Sequence, residues 1–126
     1  MPLTILIVDD EEIFRKQVRV ALKGSVDAVF LEANNAADAL KSAGEHRGVI
    51  DLLVSDVVMP GRMNGIEMAA HLSKARPEMK VFVMSGYARE ALTMEPSWHF
   101  IRKPFVMSEI RERIGSILTD NCLAAY

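Results

Sequence analysis

The sequence has little cysteine, few aromatic residues and no long apolar run. Of its 126 residues, one is cysteine (Cys122) and 6% are aromatic. A single cysteine excludes an internal disulfide, so the core must form without a covalent cross-link. No apolar run approaches the roughly 20 residues that a membrane-spanning helix needs. The first residues also lack the basic and then apolar build of a signal peptide. We therefore expect a cytoplasmic protein that does not enter a membrane.

Neither sign of charge dominates the chain. It carries 15 Lys and Arg against 17 Asp and Glu, for a formal net charge of −2. Nucleic-acid-binding domains usually show a clear excess of basic residues, so we expect no nucleic-acid surface. The length suits one domain of ordinary size. We place it at 1–126, with a core at about 4–118 and a C-terminal tail at 119–126.

Short apolar runs alternate with segments whose apolar residues recur at helical spacing. Branched and aromatic residues dominate the runs, as in strands buried on both faces: Ile5–Val8, Ala28–Leu31, Leu52–Val54, Val81–Met84 and Phe100–Ile101. Asn35 with Asp38 can cap the start of the second helix. The alternation predicts an α/β fold with a parallel sheet between two layers of helices. Five strands suit the doubly wound, flavodoxin-like (βα)5 fold with strand order 2-1-3-4-5.

The segment between the fourth and fifth strands is short. Gly86 to His99 must hold a loop, a helix and a return loop, close to the minimum of about a dozen residues for a crossover. Pro96 shortens the helix further, because the residue before a proline resists helical dihedral angles. We expect a fourth helix of about two turns near Arg89–Met94, or a poorly ordered one.

Polar residues stand where the predicted strands end. Asp9 and Asp10 follow the first strand, Asp56 ends the third, Ser85 ends the fourth and Lys103 follows the fifth. Because ligands of such sheets bind beyond the carboxyl ends of the strands, these residues should share one edge. Clustered carboxylates repel one another, so at least one pKa should rise unless a cation joins them. Mg²⁺ suits one or two carboxylates together with waters and a phosphate oxygen.

This set of groups favours chemistry at phosphorus. A carboxylate beside a metal ion and a lysine can attack a phosphoryl group, because both cations neutralise the transferring oxygens. The hydroxyl of Ser85 can donate a hydrogen bond to that group once it arrives, and Gly86 leaves room beside it.

Four stretches of the chain carry a resemblance to a known family. They stand in this order: Ile7–Glu11, Ser55–Gly61, Met84–Tyr87 and Lys103–Phe105. The chain from about Thr4 to Leu118 resembles the receiver domains of bacterial two-component response regulators. The resemblance implies that Asp56 accepts a phosphoryl group from a phosphohistidine on a histidine kinase or a histidine phosphotransfer protein. Phosphorylation would then switch a surface for a downstream protein effector or a fused output domain.

The same resemblance implies a magnesium site. Asp10, Asp56 and the backbone carbonyl of Val58 would bind Mg²⁺, and Asp9 would act mainly through water. The domain would be no enzyme toward other molecules, since it assists only its own phosphorylation and dephosphorylation. Val58 and Tyr87 would flank the route of the attacking water, and their bulk predicts slow autodephosphorylation.

The resemblance also implies which residues contact the phosphoryl group and respond to it. Ser85 and Lys103 would contact its oxygens, and the peptide between Lys103 and Pro104 would be cis. Ser85 and Phe100 would form the switch. Phe100 replaces a tyrosine that is frequent in the family, so its ring offers no hydroxyl for a hydrogen bond.

Two features depart from the commonest receiver pattern. The loop Met59–Gly65 is one residue longer, and together with the residues at 85–88 it is similar to receivers attached to hybrid histidine kinases. The short fourth helix changes the usual pairing face of helix four, strand five and helix five. We expect a monomer or a phosphorylation-dependent dimer.

Two other functions remain open. A pseudo-receiver would bind a protein without being phosphorylated, although the complete acidic set with Ser85 and Lys103 disfavours it. A Mg²⁺-dependent phosphohydrolase would usually place a second acid two residues after the nucleophile, where this chain has Val58. Asp9 and Asp10 could alternatively serve only to cap the first helix.

Overall fold

Five strands form one parallel sheet. The computed structural model describes residues 2–123, apart from the side chains at positions 88, 90 and 120–123. The strands are β1 (Leu3–Val8), β2 (Ala28–Ala33), β3 (Leu52–Asp56), β4 (Lys80–Ser85) and β5 (His99–Arg102). All neighbouring strands pair in parallel, in the order β2-β1-β3-β4-β5. The predicted fold and strand order are therefore confirmed.

Helices cover both faces of the sheet. The α-helices in the described part of the chain are α1 (Glu12–Leu22), α2 (Ala36–Glu45), α3 (Gly65–Ala75) and α4 (Met107–Leu123). Side chains alternate between the two faces of a strand. In β1, Ile5 and Ile7 accordingly pack toward α1 and α4, whereas Leu6 and Val8 pack toward α2 and α3. Burial on both faces explains why the strands read as continuous apolar runs.

The crossover between β4 and β5 holds a 3₁₀ helix at Ala88–Thr93. Its length and place agree with the two-turn helix predicted near Arg89–Met94, but its type is 3₁₀, the tighter form used in short pieces. Met94 and Trp98 pack against the α2–α3 side of the core, whereas Leu92 is 85% exposed. The crossover therefore covers the sheet mainly with side chains from its return loop.

Polar caps start two of the helices. The Asn35 side chain accepts a hydrogen bond from the Asp38 N–H at 2.8 Å, as the sequence predicts. The sequence analysis missed a second and fuller cap at α3. There the side chain of Asn64 accepts from the Glu67 N–H at 2.8 Å, and the Glu67 carboxylate accepts from the Asn64 N–H at 3.0 Å. This reciprocal pair fixes the start of α3 near the end of β3.

The last helix extends beyond the C-terminal limit that we predicted for the core. We expected the core to end near Leu118 and a tail to follow at 119–126, but α4 continues to Leu123. The rest of that tail lies outside the described residues, as does the side chain of Cys122. Among the described helices, none combines the length and the apolar character that crossing a bilayer requires.

Candidate functional site

The polar residues predicted to meet at one sheet edge do so. Asp9 follows β1 directly, Asp56 ends β3, Ser85 ends β4 and Lys103 follows β5. Carboxylate oxygens of Asp9, Asp10 and Asp56 all lie within 4.8 Å of one another. The parallel sheet brings them together because it places the carboxyl ends of neighbouring strands side by side.

Lys103 connects two of the three carboxylates. Its Nζ lies 2.9 Å from Asp9 Oδ2 and 3.4 Å from Asp56 Oδ1. The Asp9 side chain is completely buried, and only 13% of the Lys103 side chain is exposed. A buried carboxylate needs such a partner, because its ionised form is costly to desolvate alone. Lys103 therefore both neutralises Asp9 and places positive charge beside Asp56.

Asp9 also accepts hydrogen bonds from residues at the start of α1. Its Oδ1 accepts a hydrogen bond from the Glu11 N–H at 3.0 Å, and its backbone carbonyl accepts from Arg15 Nη1 at 2.6 Å. The Arg15 guanidinium is itself fixed by the carboxylate of Glu32 at 3.0 Å. Both carboxylate oxygens of Asp9 are thus engaged by protein groups, one by Lys103 and one by a backbone amide. The capping alternative is wrong, because the N-cap of α1 is Glu11 and no side chain makes a capping hydrogen bond there; among backbone amides, Asp9 binds only the N–H of Glu11, in the turn before the helix.

The negative charge of the site exceeds its positive charge. Burial raises the pKa of the Asp56 carboxyl from 3.8 to about 6. The ammonium of Lys103 opposes this rise, and the nearby negative charges of Asp9 and Asp10 add to it. A carboxyl that titrates near neutrality at the edge of a sheet is a physical signature of a functional site.

The donor set fits a hard divalent cation. Asp10 is exposed, and the Asp56 Oδ2 oxygen accepts no hydrogen bond from the described residues, so both can face an ion. Mg²⁺ takes oxygen ligands and usually one or two carboxylates. Val58, whose carbonyl is the other implied ligand, lies in the loop after β3, and its side chain is 59% exposed. An added cation would also relieve the repulsion that raises the pKa of Asp56.

Ser85 connects the β4 edge to Lys103. Its buried hydroxyl accepts a hydrogen bond from the Tyr87 N–H at 3.0 Å, and its carbonyl accepts from the Lys103 N–H at 2.7 Å. The peptide between Lys103 and Pro104 is cis, as the resemblance implies. Ser85 therefore contacts the loop at Tyr87 through its hydroxyl and the backbone of Lys103 through its carbonyl.

Phe100, the implied switch aromatic, lies on β5 opposite Val83. Its ring is half-buried and packs against the α2–α3 side of the core, and its carbonyl accepts a hydrogen bond from Arg113 Nη2 at 2.7 Å. The carbonyl contact ties β5 to α4. Phe100 thus lies beside Val83 within β4, and its carbonyl joins β5 to α4.

Gly65 is a site residue that the sequence analysis missed. A Cβ at this position would lie 1.9 Å from the backbone oxygen of Asp56 and 2.9 Å from Ser55 Oγ. The Gly65 N–H donates to the Val57 carbonyl at 2.8 Å, which holds the first turn of α3 against the end of β3. A glycine at the start of a helix after a capping asparagine could have indicated this close approach.

Comparison with known proteins agrees with this geometry. The family model described as "Response regulator receiver domain" matches residues 5–115. The sensor kinase CckA of Brucella abortus is 34% identical over 119 residues, covering 91% of this chain and 12% of that kinase. The chemotaxis protein CheY of Thermotoga maritima is 29% identical over 117 residues, covering 90% of this chain and 95% of that protein. The DNA-binding transcriptional regulator NtrC of Bradyrhizobium is 30% identical, and the chain spans 24% of its length.

Solved structures give the same result. The receiver domain of the hybrid histidine kinase CckA superposes with a TM-score of 0.70 at 33% identity, covering 91% of this chain and 98% of that one. The two-component transcriptional regulator AraC from Clostridium phytofermentans gives a TM-score of 0.79 at 29% identity, covering 98% and 99%. Since the family model covers most of the sequence and the fold agrees, this chain belongs to the response regulator receiver domain family.

Proposed function

We propose that Asp56 is a phosphoacceptor that takes a phosphoryl group from a phosphohistidine in a Mg²⁺-dependent reaction. The observation that carries this proposal is the position of its carboxylate. It ends β3, lies 3.4 Å from the ammonium of Lys103, and shares the edge with Asp9 and Asp10. The domain acts on itself rather than on an outside substrate, so we do not class it as an enzyme.

The transfer is a direct displacement. A carboxylate oxygen of Asp56 attacks the phosphorus of the phosphohistidine and forms a new O–P bond. The P–N bond breaks at the same time, and the imidazole nitrogen leaves with the electron pair. The Lys103 ammonium contacts one oxygen of the transferring phosphoryl group. The Ser85 hydroxyl donates a hydrogen bond to a second oxygen of that group. Water later attacks the phosphorus, releases inorganic phosphate and restores Asp56.

Asp10, Asp56 and the Val58 carbonyl would hold the Mg²⁺ ion, which supplies positive charge to the transferring oxygens. Asp9 would act through water. Its two oxygens already accept from the Glu11 N–H and Lys103, which supports a less direct role than that of Asp10. The net excess of carboxylates over ammonium groups at this edge supports a need for the ion.

Phosphorylation would work as a switch through charge. A phosphoryl group adds about −1.5 to −2 of charge at neutral pH. A full reversal between two conformations needs about 5.5 kcal/mol of differential interaction. New charge-assisted contacts to Lys103 and a hydrogen bond from Ser85 would supply much of it. Drawing the Ser85 hydroxyl inward would release the Tyr87 amide that it now binds, and so move the adjoining loop.

The partners follow from this chemistry. The phosphodonor would be a histidine kinase or a histidine phosphotransfer protein in the cytoplasm. The output would be a downstream protein effector or a fused output domain, with the receiver acting as a monomer or a phosphorylation-dependent dimer. The relatives support both arrangements, since they include a sensor kinase, a stand-alone chemotaxis protein and a transcriptional regulator.

Intact-mass spectrometry tests the proposal. The protein is incubated with acetyl phosphate and Mg²⁺, beside an Asp56→Ala control and a sample with excess chelator. We expect a gain of one phosphoryl mass in the wild type alone. A gain in the Asp56→Ala protein would assign a different acceptor. No gain from acetyl phosphate or a panel of phosphorylated histidine phosphotransfer proteins, and no NMR response to beryllofluoride, would favour the pseudo-receiver.

A further inference from the structure

An aromatic ring lies over the ammonium of Lys103. Phe14, in the first turn of α1, places its ring centroid 3.7 Å from Lys103 Nζ. The ring of Phe105 lies beside it, with 6.1 Å between the two centroids and a tilt of 58°. The ammonium is thus surrounded by two carboxylates and one aromatic face.

We propose that Phe14 is a positioning residue that holds the Lys103 ammonium between Asp9 and Asp56. The consequence for phosphorylation rests on the proposed function, whereas the positioning itself does not. An ammonium has three N–H donors. One of them has an acceptor in Asp9 Oδ2, and Asp56 Oδ1 forms a longer ion pair with the ammonium at 3.4 Å. The negative face of the Phe14 ring lies close enough to attract the cation.

The lysine needs such a restraint because its stem is flexible. A four-carbon side chain with a strongly hydrated head readily turns toward water. Asp9 Oδ2, at 2.9 Å, holds the ammonium more closely than Asp56 Oδ1 does at 3.4 Å. Without the ring, the ammonium could stay paired with Asp9 while moving away from Asp56.

A ring also suits the reaction better than another polar partner would. A carbonyl or carboxylate in that place would accept a hydrogen bond and compete with the arriving phosphoryl oxygen. An aromatic face attracts the cation without binding one particular N–H, so the ammonium can turn from Asp56 Oδ1 to a phosphoryl oxygen at little cost. Phe14 would therefore restrain the position of Lys103 while leaving its donors available.

NMR of the Lys103 side chain tests the geometry without reference to function. In protein carrying ¹³C-labelled lysine, the ε-CH₂ protons of Lys103 should be shifted upfield by the ring current. Phe14→Leu should return them to the range of the other lysines. Phe30→Leu is the matched control, because Phe30 is another half-buried phenylalanine facing the α1–α4 side of the core. An unshifted Lys103 in the wild type would overturn the proposal.

The rate of phosphorylation by acetyl phosphate separates attraction from simple packing. Progressively fluorinated phenylalanines at position 14 keep the ring's shape but weaken the negative charge of its face. We expect the rate to fall stepwise along the series, and by about 3- to 30-fold in Phe14→Leu, the range of a partly or fully desolvated cation–π contact. Phe14→Tyr should keep the wild-type rate, because it retains the ring face.

The outcomes distinguish this proposal from the function itself. Equal rates across the fluorinated series would show that the ring only packs, and would overturn it. An equal slowing in Phe30→Leu would point to a general loss of packing, and would also overturn it. If the wild type takes up no phosphoryl group, the proposed function fails, and the Lys103 shift alone decides whether Phe14 positions the ammonium.

Discussion

The two ends of the sheet use similar charged residues in opposite ways. At the amino end, the Asp51 carboxylate accepts the Thr4 N–H at 2.8 Å, and Arg76 donates to the carbonyls of Ala43, His46 and Gly48. At the carboxyl end, Asp9, Asp10 and Asp56 face one another across a single ammonium.

The difference separates stability from reactivity. Charges at the amino end bind backbone groups, most of them part-buried, and such hydrogen bonds stabilise the fold. At the carboxyl end, burial raises the pKa of Asp56, and the negative charges of Asp9 and Asp10 add to the rise against the opposing effect of Lys103. Ionised Asp56 therefore destabilises the fold when no cation is bound. Removing the Asp56 charge at the carboxyl end should therefore stabilise the fold and prevent phosphorylation. Removing the Asp51 charge at the amino end should destabilise the fold and leave phosphorylation unchanged.

Gly65→Ala should have the largest effect, because it affects both properties at once. Its Cβ would lie 1.9 Å from the backbone oxygen of Asp56, a distance that forces β3 and α3 apart. We expect a loss of about 3 kcal/mol or more in the free energy of unfolding, at the upper end for overpacking. Phosphorylation should fall with the stability, because the displaced backbone carries Asp56, the proposed acceptor.

Gly44→Ala is the matched control, measured with Gly65→Ala by urea denaturation. Gly44 lies in α2, and a Cβ there would meet nothing within 4 Å. Alanine favours a helix over glycine by about 0.5–1 kcal/mol, so this variant should be no less stable than the wild type. A Gly65→Ala protein of wild-type stability would contradict the close approach.

Asp56→Asn should stabilise the metal-free protein. The pKa of Asp56 is raised from 3.8 to about 6 on folding, so the folded state binds the proton more tightly than the unfolded state. The wild type therefore loses stability as the pH rises from about 4 to 6, and the loss persists above that range. The variant should gain on the order of 1–3 kcal/mol at pH 8 and nothing near pH 4.

Thermal denaturation at several pH values, with and without Mg²⁺, measures this gain. Mg²⁺ should narrow the difference in stability between the two proteins, because an ion bound at the wild-type carboxylate would stabilise that protein by mass action. Asp38→Asn is a control at an exposed acid away from the site, and should show no comparable gain. A gain that is the same at pH 4 and pH 8 would exclude the electrostatic cause.

Asp51→Ala should show the reverse behaviour at the other end of the sheet. Removing the carboxylate leaves the Thr4 N–H without its side-chain acceptor, which should cost about 1–2 kcal/mol of unfolding free energy. Asp51→Asn keeps an acceptor oxygen and should cost less. Neither variant should change the extent of phosphorylation by acetyl phosphate. A lowered extent of phosphorylation in a fully folded Asp51→Ala protein would contradict the claim that charges at the amino end affect only stability.

The two ends also differ in how far the sequence predicts them. Asp9, Asp56, Ser85 and Lys103 could be grouped because each follows a recognisable strand, and a parallel sheet aligns those strand ends. The contact of Asp51 with Thr4 spans 47 residues and follows no local pattern. Nothing in the composition around Arg76 indicates which carbonyls it will reach.

The steric and aromatic contacts were not predicted from the sequence. A glycine after a capping asparagine indicates a close approach at Gly65, but only the structure shows that the neighbour is the Asp56 carbonyl. The sequence does not indicate that the Phe14 ring lies over the Lys103 ammonium. The length of the crossover before β5 predicted a two-turn helix. Its 3₁₀ type depends on how tightly Ala88–Thr93 must wind within the span, which length alone does not decide.

Val58→Asn should have the smallest effect, on the lifetime of the phosphorylated state. Val58 lies two residues after Asp56 and Tyr87 two residues after Ser85, and each is 59% exposed. Neither carries an acid or amide group to orient a water molecule. An asparagine amide would supply one hydrogen bond, worth about 1 kcal/mol, and shorten the lifetime roughly 3- to 10-fold. The decay of phosphoprotein after removal of acetyl phosphate gives the rate. Val58→Leu, which adds bulk without an amide, should leave it unchanged or slower. A wild-type lifetime of seconds would show that these apolar side chains do not restrain hydrolysis, and the exposed rim of the site would then have no part in setting the duration of the signal.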